Sequence, residues 1–78
     1  MGYIKLRHSV EIKINDFISF VETYTGYDSD FNSVLFYPGD FGIVISINTL
    51  SGNLVCDVLC DSEVFNEIPV EKICINTL

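Results

Sequence analysis

Two stretches of the chain alternate side chains with a period of two, and the residues between them break that pattern. In Phe41–Asn48, Ile43, Ile45 and Ile47 share one face and Val44 and Ser46 the other; in Leu54–Cys60, Leu54, Cys56, Val58 and Cys60 share one side. A period of two belongs to β-strands, because successive side chains of an extended backbone point to opposite faces. Thr49-Leu50-Ser51-Gly52-Asn53 supplies the small and polar residues of a hairpin connection. The two stretches predict an antiparallel hairpin, with Ile45 at the centre of the inward face of its first strand.

The flanking sequence extends the pattern. Tyr37-Pro38-Gly39-Asp40 has proline where φ of about −65° is wanted and glycine where φ must be positive, which predicts a type II turn delivering the strand. Gly42, just inside that strand, predicts a bulge or a close backbone approach. Upstream, Ser9–Ile14 alternates, with Val10, Ile12 and Ile14 opposite Glu11 and Lys13, and Tyr3–Arg7 extends it. Phe17–Val21 is apolar on both faces, as in a central or bulged strand. Glu22–Phe36 reads as a long loop or loose hairpin. Downstream, Asp61-Ser62-Glu63 is a turn, Val64–Ile68 a short strand, Pro69-Val70-Glu71 a turn or single 3₁₀ turn, and Lys72–Ile75 a last strand. The expected class is all-β: one domain over residues 1–78, five or six short strands, one long early loop and a 3₁₀ turn before the last strand. Residues 1–9 read as a terminal strand or arm.

The chain is 49% apolar and 13% aromatic, which is enough to build a core. At this length folding buries only about 60% of the surface of the unfolded chain. Gly42–Ile47 falls well short of the ~18 apolar residues of a membrane span, and Met1–Ser9 carries charges where a signal peptide would be apolar. The opening Met-Gly-Tyr-Ile-Lys-Leu lacks the serine or threonine of a myristoylation signal. A cytoplasmic location, without a membrane partner, is expected.

Charge is uneven along the chain. Residues 1–13 set Lys5, Arg7 and Lys13 against Glu11, a balance of +2, whereas residues 14–78 set Lys72 against ten acids, a balance of −9. Nucleic-acid binders neutralise phosphates with clustered lysine and arginine, so nucleic acid is disfavoured. A protein partner with a basic surface is the expected complement, and homo-oligomerisation is a further expectation.

Four features bear on chemistry. Asp28-Ser29-Asp30-Phe31-Asn32 matches the opening of a calcium loop, but Ser33 stands where an EF-hand wants glycine and Gly39 where it wants a bidentate glutamate. Ordinary turn chemistry of Asp and Asn is the stronger reading, and no metal or other cofactor is expected. Cys56 and Cys60 share a face about 13 Å apart along a strand, too far for a local disulfide, while Cys74 has the geometric option of pairing with either. An odd count favours reduced thiols. A zinc site or Cys–His catalysis would need His8 as partner, and neither a Cys-x₂-Cys spacing nor a nucleophile motif is present. No catalytic residues are therefore assigned, and the chain reads as a non-enzyme.

The fourth feature is the acidic, aromatic stretch Tyr24–Phe31 with its continuation at Phe36-Tyr37. Tyr24, Tyr27, Asp28, Asp30, Phe31 and Tyr37 form the candidate partner-binding set, because aromatics supply contact area at little entropic cost and acids at the rim select a basic partner. Against this, Phe31, Phe36 and Tyr37 have an inward reading, folding back to close the mouth of a barrel, while Tyr24 and Tyr27 read as surface anchors.

The order of elements resembles the SH3-like small barrels of SH3 and KOW-type domains and of small accessory proteins of tailed phages, over residues 10–75. Asn15-Asp16-Phe17-Ile18 resembles the opening of the first barrel strand, Gly42-Ile43-Val44-Ile45-Ser46-Ile47 the KOW glycine and strand, and Ile68-Pro69-Val70-Glu71-Lys72-Ile73 the final 3₁₀ turn and strand. The chain departs from the peptide-binding SH3 pattern in having no tryptophan and from nucleic-acid-bound KOW domains in being acidic. The resemblance implies a protein-interaction module whose long early loop, with Tyr27-Asp28, contacts the ligand. The alternatives are a KOW-like domain of a transcription or ribonucleoprotein assembly, presenting Lys5, Arg7, Lys13 and Lys72 on one side, and a calcium-dependent binder.

Overall fold

A computed structural model describes residues 11–76. Their regular structure is seven β-strands and one 3₁₀ turn, without an α-helix among the described residues. The strands are β1 (Phe17–Phe20), β2 (Tyr24–Tyr27), β3 (Ser33–Phe36), β4 (Phe41–Leu50), β5 (Asn53–Cys60), β6 (Glu63–Pro69) and β7 (Ile73–Ile75), with Val70–Lys72 forming the 3₁₀ turn before β7. They form a five-stranded sheet in the order β6-β5-β4-β1-β7 and a separate hairpin β2-β3.

The all-β class agrees with the alternation, but the strand count and the closed barrel do not. The described residues hold seven strands rather than five or six, because Glu22–Phe36, read as a loop or loose hairpin, pairs with itself from Tyr24↔Phe36 to Tyr27↔Ser33. The five-stranded sheet stays open because its end strands β6 and β7 each pair on one side only. The strand expected over Ser9–Ile14 is absent from its described part. Asn15 takes a left-handed φ of 79°, and the Asp16 carboxylate accepts the Lys13 N–H at 2.7 Å, so a turn forms there instead. Ile12 still packs on the core, whereas Ile14 is exposed. The alternation over Tyr3–Val10, and the terminal arm, lie outside the described residues.

The Pro38-Gly39 turn forms as its residues require: Asp40 donates its N–H to the Tyr37 carbonyl at 2.9 Å and Gly39 has a φ of 98°. It also joins the sheet, since Gly39 N–H reaches the Phe20 carbonyl at 3.0 Å and Phe20 N–H the Asp40 carbonyl at 2.8 Å. Gly42 is a point of close approach. A Cβ there would lie 2.6 Å from Cys60 Sγ and 2.7 Å from the Leu59 carbonyl oxygen, so no side chain fits.

The inward face of β4 differs from the expected one. Val44 is fully buried, whereas Ile45 is 38% exposed, because Ile45 is the extra residue of a bulge: Val44 pairs with Val58, and Ser46 already pairs with the next residue, Asp57. The bulge flips the alternation, so Gly42 and Val44 face inward before it and Ile47 after it. A second irregularity sets the single residue Asp57 of β5 opposite Asn66 and Glu67 of β6, with Glu67 at a φ of 57°. Cys56, Val58 and Cys60 are buried as the pattern predicts, while Leu54 is exposed at the strand's start.

The core collects Ile18, Phe20, Val44, Cys56, Val58, Phe65, Ile68 and Ile73 from the sheet, closed by Phe36 from the hairpin. Phe36 stacks on Phe20 with ring centroids 4.4 Å apart and meets Phe65 edge-on at 4.9 Å, which ties the hairpin to β1 and to the edge strand β6. On the opposite face Phe17, Ile43, Leu59 and Val64 lie in one cross-strand row.

Candidate functional site

The β2-β3 hairpin sorts its residues by the period of two. Tyr24, Gly26, Val34 and Phe36 face the core, while Thr25, Tyr27, Ser33 and Leu35 face outward. The Phe36 ring lies over Gly26, where a Cβ would stand 3.0 Å from it. Tyr24 is half-buried and stacks on Phe20 at 6.1 Å, so it serves the core as well as the surface. Burial first, and then the neighbouring Tyr27, Cys56 and Glu67, push its phenol up from the ordinary value.

The tip Asp28–Asn32 is built on one carboxylate. Asp28 Oδ1 accepts the N–H groups of Asp30 and Asn32, each at 2.9 Å, and Oδ2 accepts Asn32 Nδ2 at 3.3 Å. The hydrogen bond from the Asn32 backbone, opposed by slight desolvation and reinforced by that from Asp30, holds Asp28 below the usual carboxylate value. This is the turn chemistry of an aspartate satisfying local amides. The turn forces Phe31 to a φ of 64° and projects its ring outward at 84% exposure.

The six residues of the sequence-derived set therefore separate. Tyr27, Asp30, Phe31 and Tyr37 are exposed, Asp28 organises the tip, and Tyr24 turns toward the core. Of the three aromatics with an inward reading, only Phe36 is buried; Phe31 and Tyr37 are not.

Beside the tip lie two adjoining hollows. One of about 540 Å³ is lined by Phe31, Asn48, Thr49 and Asn66, the other of about 410 Å³ by Leu54, Pro69, Val70 and Glu71, and both share Leu50, Val55 and Glu67. The shared walls are apolar with an acidic margin. Leu50, Leu54 and Glu67 were not among the sequence-derived residues. The signal for the leucines is their place beside the two-residue Ser51-Gly52 turn, where both central φ values are positive. The signal for Glu67 is the polar pair Asn66-Glu67 interrupting the alternation between Phe65 and Ile68.

Comparison with protein-family models, curated proteins and solved structures returned no match. The chemistry of the site thus rests on its own geometry. All three cysteines are free thiols; burial first, then Asp57, raises Cys56 to about 11, and burial, then Asp61 and Asp40, raises Cys60 to about 11. Neutral buried thiols are poor nucleophiles and poor metal ligands. Among the described residues no cluster of His, Cys, Asp and Glu is arranged to hold a metal ion, and no helix is long and apolar enough to cross a membrane. Lys72 pairs with Glu22 at 3.4 Å, and Lys5, Arg7 and His8 lie outside the described residues.

Proposed function

We propose that the chain is a non-enzymatic protein-interaction module with an SH3-like arrangement, which binds a basic partner through the outer face and tip of the β2-β3 hairpin. The order of elements supports that arrangement: a hairpin inserted between β1 and β4, the β4-β5-β6 meander, and a 3₁₀ turn before β7, which pairs with β1. The observation that carries the function is the exposure of Tyr27, Phe31 and Leu35 on one hairpin and of Tyr37 just past its end, at 53%, 84%, 47% and 57%. Exposed apolar side chains concentrated on one short segment are characteristic of interaction surfaces rather than of scattered surface residues. The partner's charge follows from the surroundings, where every acid of the chain lies at or after Glu11, against Lys13 and Lys72. The Lys72–Glu22 pair withdraws one of the four cations that the KOW-like reading requires.

Capture of partners from the native host by the tagged chain, with identification by mass spectrometry, tests this reading. Tyr27→Ala combined with Phe31→Ala should abolish capture of the main partner. Capture retained by that variant and lost on changing Lys5 and Arg7 would favour the KOW-like assembly role instead.

A further inference from the structure

At the base of β3, away from the tip, a third hollow of about 310 Å³ lies between the hairpin and two turns of the sheet. We infer that it is a binding site for an arginine side chain of a protein partner. Its lining combines the buried Phe36 and Cys60 with the exposed Leu35 and Phe41, and its two charged members are Asp40, from the Pro38-Gly39 turn, and Asp61, from the turn joining β5 and β6. No cation lines it.

That combination selects an amphipathic cation. A side chain with a long methylene stem lays the stem on Leu35 and Phe41 and brings its charged head to the carboxylates. Phe41 is 67% exposed, so its ring is accessible to a planar cation. Asp40 Oδ2 already accepts the Tyr37 N–H at 2.8 Å, which fixes this carboxylate in place, and Asp61 is exposed on its turn. Two acceptors held on separate turns match the several donors of a guanidinium better than the point charge of an ammonium. Both carboxylates also act on the buried Cys60 thiol, which agrees with their converging on the same hollow. The inference rests on the interaction reading in requiring a protein partner and shares Leu35 with the hairpin's outer face; none of its lining residues belongs to the hairpin tip.

The test is a ¹H–¹⁵N NMR titration of the full chain at low salt with the blocked peptide Ac-Leu-Arg-Leu-NH₂ and with its citrulline counterpart, which keeps the shape and removes the charge. The arginine peptide should give saturable shifts at the amides of Leu35, Asp40, Phe41 and Asp61, suppressed by salt, and the citrulline peptide should give none. Asp61→Asn should weaken binding about tenfold while leaving the turn intact, because Asn accepts the left-handed φ of 49° seen at Asp61. Phe41→Ala should weaken it as well, and its exposure makes that variant tolerant in folding. An equal response to citrulline, shifts centred on Phe31, Leu50 and Glu67, no saturable shift, or indifference to both variants would overturn the site. If the Tyr27 and Phe31 variant still abolishes partner capture in that event, the interaction reading stands and only this site falls.

Discussion

Asp57 stands where both irregularities of the sheet meet. Its Oδ2 accepts the Ser46 hydroxyl of β4 at 2.6 Å and its Oδ1 accepts the Glu67 N–H of β6 at 2.9 Å, so one carboxylate satisfies polar groups of both bulged neighbours. Its sequence neighbour Cys56 points the other way, into the core. The contrast makes the thiols a residue-scale probe. Cys56 and Cys60 have folded values of about 11 against an ordinary 9.0. A raised folded value favours the neutral thiol, so its contribution to stability is complete below pH 9 and is lost as pH rises through about 11. Iodoacetamide on the native protein near pH 8 should therefore modify the exposed Cys74 alone, with Cys56 and Cys60 reacting after denaturation, as read by intact mass. Modification of all three thiols before unfolding would contradict the burial assigned to β5.

At the scale of the element, β4 shows what periodicity resolves and what it misses. The strand, its hairpin partner and the Pro38-Gly39 turn were legible because each rests on local backbone preferences. The inward face was not, because a single extra residue at Ile45 inverts the alternation, and a bulge is fixed by the pairing partners rather than by the strand's own sequence. The alternating Val10, Ile12 and Ile14 misled in the same way, since Asn15 and Asp16 close a turn that removes Ile14 from the face Ile12 keeps. The bulge gives an opposed pair of variants. Val44→Asp should unfold most of the population, because an unpaired buried charge costs several kcal/mol against a total stability of about 5 kcal/mol. Ile45→Asp, at 38% exposure, should fold and melt within a few degrees of the parent. Circular dichroism melting curves of the two check the register directly.

For the whole molecule, the sheet is a half-open structure that the hairpin completes. The hairpin has no ladder with the sheet among the described residues, so side-chain packing through Phe36, Tyr24 and Val34 holds it in place. The candidate site was legible in part for the same reason. Composition marks Tyr24–Tyr37 as aromatic and acidic, but which aromatics turn inward depends on the pairing Tyr24↔Phe36, which puts both rings on the core side. Phe31 escapes because the Asp28 turn orients it outward, and Tyr37 because it follows Phe36 on the other face. The hollows beside Leu50 and Phe41 join residues distant in sequence and leave no local trace. The hairpin holds the fold with its inner face and leaves its outer face and tip exposed. The melting of Phe36→Ala compared with that of Tyr27→Ala combined with Phe31→Ala measures that division. Phe36→Ala should cost about 3–5 kcal/mol and lower the melting temperature by roughly 12 °C or more, whereas the outer pair together should cost about 0.5 kcal/mol or less. Comparable destabilisation by the outer pair, or a parent-like melt for Phe36→Ala, would contradict that division.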